Sequence, residues 1–414
     1  MSHPPSSLPA TERMPTLDIL RGFALMGILI MNMPGFSYSG YTEADGSHHW
    51  TSALDRFAEQ ARDMLFSGKF NSLFSLLFGI GFTIQFARMQ AASPETASRT
   101  YLRRLLVLAA LGLLHASLLW TGDVLHVYAV LGIVLLFGLR HASDRVVVAL
   151  IAGCLVFPLV SGALRLVFIT PESVATRTQQ LLAFGASNNA VFGHGGYADA
   201  VRENLRMLAF DYGNPVSLWG NLGWYISMAM TMLIGLLAGR RHWVQRIPEL
   251  MPQIRRLTWW ALGLGLACGA AFTAIFELNR APGPSVIKMI GGLCYGISRP
   301  ALMIFYVLLI VRWAQTEGGR RWLAPLGAAG RMPLTNYLMQ SAICTTLFYN
   351  WGFGLWDRVG PAAGFVLSLA IFFGIQVPWS LWWLRRHERG PMETLWARLT
   401  YGRRPAAALK AQPQ

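Results

Sequence analysis

The chain has 414 residues, 54% of them hydrophobic and only 13% charged, where a soluble protein carries about 25% charged residues. Its formal charge of +15 comes largely from arginines spread over short loops. That pattern argues against a nucleic-acid partner and for loops that set membrane orientation and meet anionic lipid headgroups. A soluble enzyme is excluded; the composition marks an all-α, polytopic protein of the lipid bilayer.

The first 13 residues, rich in Ser and Pro, read as a disordered tail. The apolar run that begins at Leu17 and continues to Met33 is too long for a signal-peptide core and is expected to stay as a helix. A spanning helix needs about 20 mostly apolar residues. Ten stretches are expected to cross: 17–37, 67–88, 102–120, 123–140, 145–169, 218–239, 257–277, 291–313, 333–353 and 362–384. They form one transmembrane domain, 14–390, interrupted by a large polar outer loop at 170–217 with room for one or two short surface helices. Residues 391–414 read as a short interfacial helix, with Met392, Leu395, Trp396 and Leu399 on its apolar side, followed by a disordered tail. When alternate gaps are assigned to opposite sides, the side holding both termini carries 23 of the 35 Lys and Arg. The positive-inside rule then puts both termini in the cytoplasm of a cell whose plasma (inner) membrane holds the chain. The four cysteines, Cys154, Cys268, Cys294 and Cys344, lie in apolar runs without CxxC spacing. They predict neither a disulfide framework nor a metal site.

Ionisable groups inside a bilayer cost several kcal/mol unless paired or wetted, so each is a functional candidate. In "LDILRGFALMGILIMN" Asp18 and Arg21 share a helix face near the cytoplasmic end. They read either as a self-neutralising anchor or as an Arg that binds an entering phosphate or carboxylate. Asn32, about three turns further on, is either helix–helix glue or part of a site. His48 and His49 in "GSHHW" read as an exposed, solvated pair. Lys69 opens the second span, where a snorkelling lysine is the cheaper explanation, and Gly79 and Gly81 permit close helix packing. In "GLLHASLLWTGDVLHVYAVLG" the short "WTGD" turn places His115 and Asp123 at similar depth on antiparallel neighbours. A His oriented by an Asp is a general-base arrangement. The competing account is a helix-capping Asp beside a satisfied core His, and His126, one turn on, competes for the same carboxylate. Arg299 precedes Pro300, whose kink points to a cavity. Asn336 and Gln340 complete the polar set. Walker, GxSxG and HExxH motifs are absent.

The stretches "LDILRGFALMGILIMN", "GKFNSLFSLLFGIGF", "LLHASLLWTGDVLHVYAVLG", "GRMPLTNYLMQSAICTTLFY" and "RGPMETLWARLTYG" together resemble the YeiB-like bacterial family of membrane proteins of unknown function. The likeness runs from about Thr16 to Gly402. More distantly the chain is similar to the transmembrane acyltransferase superfamily, which includes heparan glucosaminide acetyltransferases and bacterial sugar O-acyltransferases. The shared features are an LDxxRG first helix (Leu17, Asp18, Arg21, Gly22), Asn32 at its end, and a late Gly and Tyr, Gly330 and Tyr337. In that superfamily the catalytic His lies in the following outer loop; here the spacing to His48 and His49 differs, and the recurrent YeiB-like His is His115.

What the resemblance implies is acyl transfer across the membrane. A cytoplasmic acyl-CoA co-substrate, with no bound cofactor, would meet Arg21 and the basic loops. His115 would activate an acceptor hydroxyl or amine of a sugar, glycan or lipid, held by Asp123. Asn32, Lys69 or Arg299 would steady the oxyanion. The catalytic set is thus His115, Asp123 and Asn32; the substrate-binding set is Asp18, Arg21, Lys69, Arg299, Asn336, Tyr337 and Gln340. A proton-coupled transporter and a non-catalytic envelope-assembly component are the competing readings. Glycine-rich faces would permit a homodimer.

Overall fold

A computed structural model describes residues 14–402; the expected tails at 1–13 and 403–414 lie outside the described residues. The described chain is helical, without strands. In order the helices are α1 (Pro15–Ser37), α2 (Ala53–Leu65), α3 (Lys69–Ala92), α4 (Pro94–Leu118), α5 (Leu125–Val134), α6 (Asp144–Phe168), α7 (Pro171–His194) and α8 (Tyr197–Gly213). They continue as α9 (Pro215–Arg240), α10 (Ile247–Leu278), α11 (Val286–Ala314), α12 (Glu317–Gly330), α13 (Pro333–Phe348), α14 (Pro361–Ile371), α15 (Val377–Leu384) and α16 (Pro391–Tyr401).

Among the described residues eight helices are long and apolar enough to cross a membrane. The chain is therefore a multi-pass membrane protein. Two of the ten expected spans are shorter than drawn from the sequence. One is Leu125–Leu139, whose last turn widens into a π turn; the other is α13, with 16 residues. The stretch 170–217, expected as a loop, is instead the helix pair α7 and α8, of 24 and 17 residues. Thr170 and Ser173 start it with reciprocal caps: the Ser173 amide donates to the Thr170 hydroxyl and the Thr170 amide to Ser173 Oγ.

Burial separates an inner from an outer ring. The span of α1 is 61% buried against 11% for α6 and 17% for α10, so α1 is the hub and α6 and α10 face lipid. Small residues set the close approaches. A Cβ on Gly22 would overlap the Leu326 carbonyl, and one on Gly330 the Asp18 carbonyl, which locks α1 to α12. Gly79 and Gly235 play the same part between α3 and α9, against the carbonyls of Met232 and Leu76. Gly81, by contrast, faces open space. Gly79→Ala is expected to destabilise the protein by about 1–3 kcal/mol through overpacking, while Gly81→Ala stays neutral. Thermal unfolding of the two variants side by side in detergent checks this.

The connections sort into two faces, as the alternation of arginine-rich gaps implies. On one face Arg240 donates to the Ala142 carbonyl (2.8 Å) and Trp396 of α16 to the Arg104 carbonyl (3.0 Å). On the other, Trp120 donates to the Gly35 carbonyl (3.0 Å), Asn188 to Ser39 Oγ (3.2 Å) and the Asn350 amide to the Phe192 carbonyl (2.8 Å). Helix α16 does more than lie on a surface. Its Glu393 accepts from the amides of Leu334 (2.7 Å) and Thr335 (3.1 Å) and from the Thr335 hydroxyl (2.6 Å), capping α13. Burial pushes the Glu393 carboxyl above its ordinary range, and the Thr335 hydroxyl works against that rise.

Candidate functional site

The deepest polar cluster is built by α4, the turn after it, α5 and α13. His115 lies one turn from the end of α4, and the 119–124 turn brings Asp123 back beneath it. His115 Nδ1 is 2.8 Å from Asp123 Oδ2, and His115 Nε2 is 2.7 Å from Ser341 Oγ on α13. On the other carboxylate oxygen, His126 Nδ1 lies at 2.7 Å and the His126 amide at 3.1 Å. His115 and Asp123 are each 3% exposed and Ser341 1%, so the cluster is shielded from solvent.

The proton positions follow from the donor and acceptor inventory. An ionised Asp123 only accepts, so both rings present Nδ1–H to it. His115 Nε2 is then an acceptor, and the Ser341 hydroxyl donates to it. His126 Nε2 is an acceptor too and takes its bond from the Tyr212 hydroxyl, which accepts in turn from Tyr225 (3.2 Å). One continuous chain runs from Ser341 through His115, Asp123, His126 and Tyr212 to Tyr225. The Tyr337 ring packs on the His115 ring at 5.2 Å between centroids. Its hydroxyl ties down the turn, donating to the Gly122 carbonyl (3.4 Å) and accepting from the Val124 amide (3.3 Å).

Of the residues expected to act, this brings together His115, Asp123 and Tyr337, and it resolves the competition with His126 by giving each imidazole one oxygen of the carboxylate. Asn32 is half-buried on α1 and makes no hydrogen bond to the cluster among the described residues. Asn336 and Gln340 belong to a separate amide ladder. Asn336 Nδ2 donates to the Ala329 carbonyl and Ser380 Oγ, each at 3.0 Å, and Gln340 Nε2 to the Leu25 carbonyl and Gln376 Oε1, each at 3.0 Å. Arg21 pairs with Asp18 at 2.8 Å and keeps 28% of its side chain exposed.

Lys69 does not snorkel. It is fully buried, donates to the Asp63 carbonyl (2.8 Å) and sits 5.4 Å above the Tyr295 ring. A proline-free turn through Gly68, at φ +76°, carries the chain from the surface helix α2 inward and takes the lysine with it. Arg299 is also buried and lies 5.0 Å from the Tyr295 ring. His48 and His49, expected to be solvated, are half-buried and face different carboxylates: His48 is 3.2 Å from Glu277, and His49 pairs with Asp357. Sequence reasoning missed Ser341, although it stands one turn after Tyr337 on the same helix face, and it missed Tyr212 and Gln376.

Residues 238–403 match the family described as "Protein of unknown function (DUF418)". The chain is similar to the uncharacterized protein YxaH of Bacillus subtilis (strain 168), 31% identical over 401 residues and covering 94% of each chain. It is similar to the uncharacterized protein YeiB of Escherichia coli (strain K12), 30% identical over 397 residues, 94% of this chain and 96% of that one. An uncharacterized 39.9 kDa protein in the amylase 3' region of Bacillus acidopullulyticus is 28% identical over 401 residues, 97% of each. No solved structure matches. The matched family segment contains Ser341 and Tyr337, whereas His115 and Asp123 precede it and fall only within the full-length relatives.

Proposed function

We propose that this chain, which belongs to the YeiB-like DUF418 family, is an acyltransferase of the cell membrane. It takes an acyl group from a cytoplasmic acyl-CoA and passes it to a hydroxyl or amine on the opposite face. The observation that supports this reading is the hydrogen-bonded sequence Ser341–His115–Asp123, buried where three helices meet. It has the three parts of an activated nucleophile: a hydroxyl, a base that accepts from it, and a carboxylate that fixes the base's tautomer.

In the first half-reaction Ser341 Oγ attacks the thioester carbonyl and its proton passes to His115 Nε2. The C–S bond breaks, and His115 returns the proton to sulfur. In the second, the acceptor oxygen or nitrogen attacks the Ser341 ester and gives its proton to His115. The ester C–O bond breaks and the proton goes back to Oγ. Asp123 holds the imidazolium throughout. Arg21, partly exposed on the arginine-rich face, would meet the CoA phosphates.

A second reading, proton-coupled transport of a small solute, is favoured by one observation. The same chain continues past Asp123 to Tyr212, which is 40% exposed. Intact-mass spectrometry of the purified full-length protein, incubated with acetyl-CoA or longer acyl-CoA and no acceptor, separates the two. One added acyl group, lost in Ser341→Ala, is the expected result. A folded protein that no CoA thioester modifies would overturn acyl transfer and leave the proton relay.

A further inference from the structure

Away from the His115 cluster, the largest space in the protein is a cavity of about 1180 Å³. It lies between α6, the start of α7, α9 and α11. Its lining holds four cations, Arg165, Arg177, Lys288 and Arg299, against the single carboxylate of Glu172. In a protein rich in paired arginines this imbalance is unusual: none of the three arginines forms an ion pair among the described residues.

Each arginine is held on one side and left open on another. Arg299 is 3% exposed and lies over Tyr295, yet its Nε and Nη2 have no partner. Arg177 donates through Nη2 to Ser217 Oγ (2.9 Å) and lies 4.4 Å from the Phe210 ring, while its Nη1 is buried and unpartnered. Arg165 Nε is buried and unpartnered as well. Buried guanidinium donors without acceptors cost free energy, and an anion is what would satisfy several of them together, by the bidentate geometry that arginine offers phosphate oxygens.

The rest of the wall is apolar, with Phe157, Phe168, Trp224 and Met289 among its residues. The space is many times larger than one phosphate group. It borders α6, the helix least buried in the bundle, so an occupant can reach it from the bilayer. We propose that this cavity binds the phosphate headgroup of an anionic lipid, with its apolar chain leaving along α6. The inference rests on the cavity alone and stands whether or not Ser341 accepts an acyl group.

The test is native mass spectrometry of the full chain in detergent, titrated with dioleoylphosphatidic acid, dioleoylphosphatidylcholine and inorganic phosphate. Phosphatidic acid is expected to bind at least about tenfold more tightly than either of the others, the size of one charge-assisted contact. Arg299→Gln should lose that preference. Because Arg299 is buried, Gly292→Phe provides a second route. Gly292 lines the cavity, and a Cβ there meets nothing within 4 Å, so the ring fills the apolar part without disturbing a packed contact. Loss of phosphatidic acid binding in that variant supports the proposal. Equal binding of phosphatidylcholine, binding of inorganic phosphate as tight as that of the lipid, or unchanged binding in folded Gly292→Phe would overturn it.

Discussion

Asp123→Asn is expected to slow acylation of Ser341 by about 10³- to 10⁴-fold, the loss that follows when a triad's imidazole takes the wrong tautomer, while the protein stays folded. Three donors converge on the carboxylate: His115 Nδ1–H, His126 Nδ1–H and the His126 amide. An amide in its place offers one acceptor oxygen and one donor nitrogen. The His126 side binds the same oxygen with two donors, so the oxygen is held there and the new N–H₂ faces His115 Nδ1. That ring must then shift its proton to Nε2 and can no longer accept from the Ser341 hydroxyl. The initial rate of mass increase with acyl-CoA reads this out. His126→Phe is the companion variant. It cuts the chain to Tyr212 but leaves His115 its own oxygen, so acylation should fall less than about tenfold. An Asp123→Asn protein acylated at the wild-type rate would remove His115 from the mechanism.

The helical scaffold and half of this site could be read from the residues, and the reason is sequence distance. His115 and Asp123 are eight residues apart across a turn too short to do anything but reverse the chain, so their meeting is a local matter. Ser341 arrives from 226 residues away, and only the packing of α13 against α1 and α4 decides which of its polar positions faces the imidazole. The same limit explains Lys69. A lysine at a span's edge normally reaches for water, but the Gly68 turn aims this one into the bundle, and a positive-φ glycine is hard to tell from a packing glycine in a sequence. The stretch 170–217 was hidden for another reason. Its helices α7 and α8 are too polar to register as membrane segments, and their amphipathic periods are weak because aromatic side chains such as Phe184 and Phe210 pair with arginines and each other.

The amide ladder yields the other large effect. Gln376→Leu is expected to lower stability by about 2–4 kcal/mol, because it strips partners from groups that cannot reach water. Gln376 and Asn336 are fully buried and Gln340 is 2% exposed. Gln376 Oε1 accepts from Gln340 Nε2 (3.0 Å), and its Nε2 donates to the Asn336 carbonyl (2.7 Å), tying α13 to the π turn at Phe372–Gln376. The single change leaves a Gln340 donor facing a methyl group. Changing both glutamines to Leu removes the orphan. The carbonyls they leave, Leu25 and Asn336, are helix carbonyls within α1 and α13, already served by their own ladders. The double variant is therefore expected to be more stable than the sum of the two single changes by about 1–2 kcal/mol, measured by thermal or denaturant unfolding in one detergent. Strict additivity would mean that water reaches the ladder, and that the centre of the bundle around α13, one turn from Ser341, is wetter than its burial implies.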